Sequence, residues 1–298
     1  MRSEATTAAS TGATPGPGVV AALQMTSGPD VAANLAAAAP LLAAARDAGA
    51  CVALLPENFS FLGRRDADKR TVAEAAGSGP VQDFLAASAA RLGLWIVGGT
   101  TPIAAGAAGT AGATGAADGR VNNTCLVYDA AGACVARYDK IHLFDVDVPN
   151  QPGESYREST HVARGSGVVV VDTPVARVGL SVCYDMRFPE LYRRLSAAGA
   201  ELLVVPSAFT VPTGRAHWEV LLRARAIENL CYVAAAAQSG VHANGRETYG
   251  DSLIVDYWGR VLKRLPRGSG IVTAVVDRAA LAGARASFPA LAHRVLES

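Results

Sequence analysis

The stretch Val178-Gly-Leu-Ser-Val-Cys183-Tyr-Asp-Met-Arg-Phe-Pro-Glu190 decides the fold class. Up to Val182 it is apolar and β-branched, which reads as a buried strand. Pro189 then stands where the first turn of a helix tolerates proline, so a helix over 189–198 is expected to follow at once. A strand that hands over directly to a helix is the building unit of an α/β protein. The same handover leaves the Cys183 thiol at the carboxyl lip of a strand, near a helix N-terminus. Backbone N–H groups and the helix dipole there favour a thiolate. Core cysteines usually sit in mid-strand, whereas this one is placed like a nucleophile.

The pattern recurs on both sides of this stretch. Strands are expected at Val19 to Gln24, Cys51 to Leu55, Leu94 to Gly98, Leu202 to Val205, Cys231 to Ala237 and Ile271 to Val276. Helices are expected at Asp30 to Ala48, Pro80 to Leu92 and Arg215 to Asn229, with a short one after the last strand. Three strand pairs carry turn residues between them: Asn123 to Tyr128 with Cys134 to Tyr138, Val168 to Asp172 with Ala176 to Val182, and Leu253 to Asp256 with Val261 to Leu265. A purely parallel doubly wound sheet has no such hairpins, so mixed sheets with a helix layer on one face of each are expected. Apolar strands recur without a linker, which predicts one domain over 19–298. The polar, Pro/Gly-rich residues 1–18 read as a disordered tail lacking the apolar centre of a signal peptide. Residues 104–119 read as a flexible Gly/Ala/Thr loop.

Composition narrows the function. Among 298 residues, 27 Lys and Arg nearly balance 26 Asp and Glu, so no basic surface recommends nucleic acid. No apolar run is long enough to span a bilayer. Five cysteines, none in a C-x-x-C pair, argue against a disulfide framework and a structural zinc site. A reducing, cytoplasmic setting fits them. His142, His217 and His242 are too scattered to suggest a metal-ligand set, and no cofactor is expected.

Three strand ends carry reactive groups: Leu55-Pro56-Glu57 a carboxylate, Tyr138-Asp139-Lys140 an ammonium and Val182-Cys183 a thiol. Functional residues gather at the carboxyl ends of strands in α/β proteins. Such a set supplies a proton acceptor, a fixed positive charge and a nucleophile. Taken singly, each has a plainer reading as a solvated loop residue or a structural cysteine, and spacing alone leaves both readings open.

The wider context resolves them. Leu-Pro-Glu57-Asn, Tyr-Asp-Lys140-Ile-His-Leu-Phe-Asp and Val-Cys183-Tyr-Asp-Met-Arg-Phe-Pro-Glu-Leu together resemble the nitrilase, or carbon–nitrogen hydrolase, superfamily. The resemblance runs on through Pro206-Ser-Ala-Phe-Thr210, Gly214 to Asn229, Tyr249-Gly-Asp-Ser and Asp256-Tyr-Trp-Gly259. It implies a four-layer α-β-β-α sandwich with two mixed β-sheets, and homodimers or larger homo-oligomers. It also implies a Glu-Lys-Cys triad, with Glu57 as general base, Lys140 as oxyanion partner and Cys183 as nucleophile. A second glutamate is implied beside the lysine. Tyr156-Arg-Glu158-Ser fits that context better than Glu154, which stays the alternative.

The implied reaction is metal-independent hydrolysis of a small-molecule terminal carboxamide to carboxylate and ammonia through a Cys183 thioester. The oxyanion would be held by Lys140 and the backbone N–H of Tyr184. Within the superfamily the resemblance favours the amidase branch acting on deaminated glutathione, with an ω-amidase acting on α-ketoglutaramate as the alternative. A broader amidase or nitrilase, or a non-catalytic partner protein keeping the fold, are the other readings. Such keto acids carry carboxylates, which Arg187 could clamp, unless it pairs with Glu190. Phe209, Thr210 and Thr213 could wall the pocket or merely pack. Trp218 and Glu219 are expected in packing and a buried pair. Asp251 stands where the family often has histidine and Tyr257 where it often has proline. The chain also stops soon after His293-Arg294, where relatives often run on.

Overall fold

The computed structural model describes residues 17–105, 119–148 and 154–296. Most of the expected tail and most of the 104–119 loop therefore lie outside the described residues. Gly18, counted with the tail on sequence grounds, is already in the first strand and pairs with Val276.

Two mixed sheets form the centre. In the first, Gly270–Val276, Gly18–Gln24, Val52–Leu54, Trp95–Val97, Val121–Tyr128 and Thr101–Ala104 follow one another. Cys134–Asp139 and Val162–Ala163 also pair with Val121–Tyr128. In the second the order is Val170–Asp172, Arg177–Leu180, Leu202–Ser207, Tyr232–Ala237, Ser252–Val255 and Val261–Leu265. Three strands run parallel in the middle of each sheet, and antiparallel strands flank them.

The alternation of side chains along the strands makes the layers. Val20, Ala22, Val52 and Leu54 of the first sheet meet Val178, Leu180 and Val204 of the second in one core. The intervening Ala21, Leu23, Ala53 and Leu55 pack instead on helices α1 (Val31–Asp47) and α2 (Pro80–Leu92) through Leu42, Ala45, Leu85 and Ala89. Helices α3 (Pro189–Ala197) and α4 (Val211–Asn229) cover the second sheet with Leu191, Leu195, Trp218 and Leu222. A last helix, α5 (Arg278–Ser287), follows the final strand. This is the four-layer α-β-β-α sandwich that the sequence resemblance implied. Because strands in the middle layers are covered on both faces, they read as continuous apolar runs.

Local chemistry sets the helix ends. Asp30 caps α1 by accepting from the N–H of Ala33. Pro80 opens α2, and Gly93 closes it in the left-handed conformation at φ 58°. Two expectations differ from the structure. Helix α4 starts at Val211 rather than Arg215, with Pro212 in its first turn. Gly214, which falls outside the expected helix, lies inside the observed one with the Tyr249 ring packed against it. A Cβ there would meet the Tyr249 ring at 2.2 Å. Helix α3 stands where a helix over 189–198 is expected, but it does not follow Cys183 directly: a tight 3-10 turn, Cys183–Arg187, comes first.

Candidate active site

The carboxyl ends of the central strands converge on a pocket with about 600 Å³ of open space. Glu57, Lys140, Glu158 and Cys183 line it, together with Tyr184, Arg187, Phe209, Thr210 and Thr213. Nine positions singled out from sequence thus share one cavity, although they span more than 150 residues of chain.

Each polar group is held by its own local structure. Glu57 follows Pro56 at the end of the strand Val52–Leu54 and is 4 % exposed. Its backbone carbonyl accepts from Gln238 Nε2 at 3.0 Å, which ties the two sheets together at this point. Lys140 ends the strand Cys134–Asp139 and is 2 % exposed. Its Nζ donates to Glu57 Oε1 at 2.8 Å and Glu158 Oε2 at 2.9 Å. Glu158 Oε2 also accepts from the N–H of Phe144 at 2.8 Å. Asn123 donates to Glu57 Oε1 at 3.1 Å and Glu158 Oε1 at 3.3 Å, bracing both carboxylates. Glu154 makes none of these contacts and accepts instead from its neighbour Tyr156.

Cys183 sits at the first residue of the 3-10 turn with φ 49°, a left-handed conformation that non-glycine residues rarely adopt. The buried carboxylate of Asp185 fixes that turn. It accepts from the N–H of Val182 at 2.9 Å, from Tyr138 Oη at 2.6 Å and from the N–H of His142 at 2.9 Å. His142 also meets it through Nδ1 at 2.7 Å and stacks on Phe188. The turn presents the thiol to the pocket at the end of the strand Arg177–Leu180.

The electrostatics differ from the thiolate expected at a helix N-terminus. Burial pushes the Cys183 thiol well above its usual range, and the Glu57 carboxylate beside it pushes further. Lys140 and the N–H of Ala208 oppose them without prevailing. The resting group is therefore a neutral thiol. Burial also works against a charge on Lys140, but Glu158 and Glu57 outweigh it and hold the ammonium well above its ordinary pKa. For Glu158, burial favours the neutral acid, yet Lys140 and then Lys69 overcome this and keep it ionised. Within the Glu57–Lys140–Glu158 cluster two carboxylates outnumber the one ammonium, so the cluster itself does not draw the thiol proton off.

The wall residues behave differently from one another. Arg187 does not pair with Glu190. Its guanidinium lies 5.3 Å from the Phe209 ring centre and 5.8 Å from that of Tyr184, and Nη1 meets His217 Nδ1 at 3.1 Å. Burial, then Arg187, lowers the His217 pKa, so the neutral ring accepts from the guanidinium. Thr210 and Thr213 bond each other through their hydroxyls at 2.8 Å. Trp218 is buried, donating to the Asp251 carbonyl at 2.8 Å. Glu219 is not buried: it lies on the surface with Arg223 and Arg264. Arg264 also pairs with Asp251. His142, His217 and His242 lie apart, the last between the Ser27 carbonyl and Thr248. Sequence reading missed Asn123, Asp185, Gln238 and Arg246. The signal for Asn123 was a polar pair, Asn122-Asn123, opening an otherwise apolar strand.

Comparison with known proteins places this geometry in context. The family model for carbon–nitrogen hydrolases matches residues 19–286. A protein of Synechocystis sp. named deaminated glutathione amidase is 43 % identical over 281 residues, covering 94 % of this chain and 98 % of the relative. The crystal structure of the C. elegans NitFhit protein superposes with a TM-score of 0.83 at 36 % identity. It covers 94 % of this chain and 66 % of that one. Saccharomyces cerevisiae Nit3, described as a member of branch 10 of the nitrilase superfamily, gives 0.81 at 28 % identity over 94 % and 97 %.

Proposed function

The chain belongs to the carbon–nitrogen hydrolase family, and we propose that it is a thiol amidase whose substrate is deaminated glutathione. The observation that carries the reading is the Lys140 ammonium, clamped at 2.8 and 2.9 Å between Glu57 and Glu158 in the pocket that Cys183 enters.

The steps follow from that arrangement. Glu57 takes the proton of the Cys183 thiol as sulfur attacks the amide carbon. Coupling the two events suits a thiol that is neutral at rest. The carbonyl π electrons move onto oxygen, and the oxyanion lies against Lys140 and the N–H of Tyr184. Loss of one such donor costs about 2.7–4 kcal/mol of barrier. Glu158 keeps Lys140 charged and oriented throughout. As the tetrahedral adduct collapses, protonated Glu57 delivers its proton to the departing nitrogen and a thioester remains. Glu57 then takes a proton from water, the hydroxide adds to the thioester, and the second adduct expels the Cys183 thiol, which regains its proton.

The leaving group depends on the substrate. Deaminated glutathione has only secondary amides, so the amine of cysteinylglycine departs rather than ammonia, and α-ketoglutarate is the acyl product. With α-ketoglutaramate the same acyl product forms and ammonia departs. Arg187 binds the keto-acid carboxylate, and Phe209, Thr210 and Thr213 shape the wall.

The reading extends to setting and assembly. No helix among the described residues is long and apolar enough to cross a membrane. A nucleophilic thiol needs a reducing environment, and five free cysteines support a cytoplasmic one. A homodimer is supported by an exposed apolar patch. Ile227 on α4 packs over Gly259, next to Trp258, whose ring lies 5.6 Å from that of Phe288.

The test follows α-ketoglutarate release, a readout common to both substrates. The wild type should favour deaminated glutathione in kcat/KM, and Cys183→Ala should abolish release. A preference for α-ketoglutaramate would move the enzyme to the ω-amidase reading. Release from neither would reject both substrates.

A further inference from the structure

Two guanidinium groups face the pocket, and among the described residues neither has a carboxylate partner. Arg187 is one. The other is Arg246, at the tip of the hairpin formed by Ser239–Val241 and Glu247–Tyr249. Its Nη2 donates to the carbonyl of Ala208. Its guanidinium lies over the ring of Tyr156, with Cζ 4.9 Å from the centroid. Its Nε is buried without a hydrogen-bond partner.

These facts point to a ligand. A buried donor left unpaired costs about 1–3 kcal/mol, and native proteins keep few of them. Stacking on Tyr156 occupies a face of the guanidinium and leaves its N–H edge for a planar anion, the geometry in which arginine grips carboxylates. Lys140 cannot serve a ligand carboxylate in the same way, because Glu57 and Glu158 already neutralise it. Arg246 also bonds the residue whose N–H faces the Cys183 thiol, so it is anchored beside the reacting centre. Arg187 reaches the pocket from the turn after Cys183, and Arg246 from a separate hairpin. Lys69 also lines the pocket, but the two guanidinium groups without a carboxylate partner stand on separate elements and offer planar forks for a substrate with two carboxylates.

We propose that Arg246 binds the terminal carboxylate of the leaving group. The pocket then selects amides that carry a carboxylate on the amine side as well as on the acyl side. The inference rests on the substrate reading above. In α-ketoglutaryl-cysteinylglycine the extended dipeptide spans about 7 Å, and its glycine carboxylate lies at the end remote from the keto acid. α-Ketoglutaramate has nothing there to bind.

The test is a cycle between one side chain and one substrate group. α-Ketoglutaryl-cysteinylglycine is compared with the same compound bearing a C-terminal carboxamide, in the wild type and in Arg246→Gln, by kcat/KM for α-ketoglutarate release. The wild type should prefer the carboxylate by about 10- to 100-fold, the range of a hydrogen bond to a charged group. In Arg246→Gln the preference should shrink to about unity, and Arg246→Lys should fall between. A general structural defect would lower both substrates and leave the ratio intact. That result would overturn the proposal, as would a wild type indifferent to the carboxamide. It would also be overturned if the variant lost α-ketoglutaramate hydrolysis in step with the dipeptide substrate, since Arg246 would then serve the acyl end. A wild type that cleaves neither keto acid defeats the substrate reading itself and this inference with it.

Discussion

Replacing Glu57 by glutamine should make Cys183 more acidic while destroying hydrolysis. The side chain keeps its shape, but a negative charge beside the thiol disappears. In the wild type burial raises the Cys183 pKa most, Glu57 adds to it, and Lys140 works the other way. A unit charge about 4 Å away at an effective dielectric of about 20 is worth about 4 kcal/mol, or about 3 pKa units. Burial is unchanged in the variant, and Lys140 stays charged because Glu158 remains 2.9 Å away. The thiol pKa should therefore fall by about 2–3 units. Hydrolysis should drop by about 10³- to 10⁴-fold, because the proton acceptor for both half-reactions is gone. The ultraviolet absorbance of the thiolate, titrated against pH with Cys183→Ala as the blank, measures the first effect. α-Ketoglutarate release measures the second. An unchanged or higher thiol pKa would refute the electrostatic account, and hydrolysis kept within about tenfold would refute Glu57 as the base.

Three further outcomes are expected. The pKa of Glu158 is depressed to about 2, opposed by burial but set by Lys140, so its stabilising contribution is present above about pH 4.3 and disappears as pH falls towards 2. Thermal melts at descending pH should show this acid loss in the wild type and a flatter profile in Glu158→Gln. Asp185→Asn leaves one of several donors facing an amide N–H₂, at about 1–3 kcal/mol, so both the melting temperature and kcat should fall. An unchanged melting temperature would count against the turn-fixing role. Gly214→Ala forces a methyl group against the Tyr249 ring and should cost about 1–3 kcal/mol in denaturant unfolding; a neutral result would mean that α4 can shift freely.

Much of the architecture is legible along the chain. Strands buried on both faces must be apolar, and helices that cover them must be amphipathic or alanine-rich. The α2 boundaries, the Val261–Leu265 strand and the hairpin turns follow from local turn and capping chemistry. The start of α4 does not, because the close packing of Gly214 on Tyr249, 35 residues further along the chain, is visible only in the fold. The 3-10 turn after Cys183 is likewise hidden, since the Asp185 carboxylate that stabilises it takes donors from Tyr138 and His142, more than 40 residues away.

The site divides in the same way. By itself the sequence determined that a carboxylate, an ammonium and a thiol stand at strand ends, because strand periodicity and proline positions are local properties. It also carried the motifs that resemble a family of carbon–nitrogen hydrolases. Only the tertiary structure decided that Glu158 and not Glu154 reaches Lys140, and that Arg187 turns to His217 and not to Glu190. It alone revealed that Cys183 rests as a thiol and that Arg246 enters the same pocket. The physical reason is that charge state and hydrogen-bond partnership depend on distance and burial. Those are set by which strand ends two packed sheets bring together.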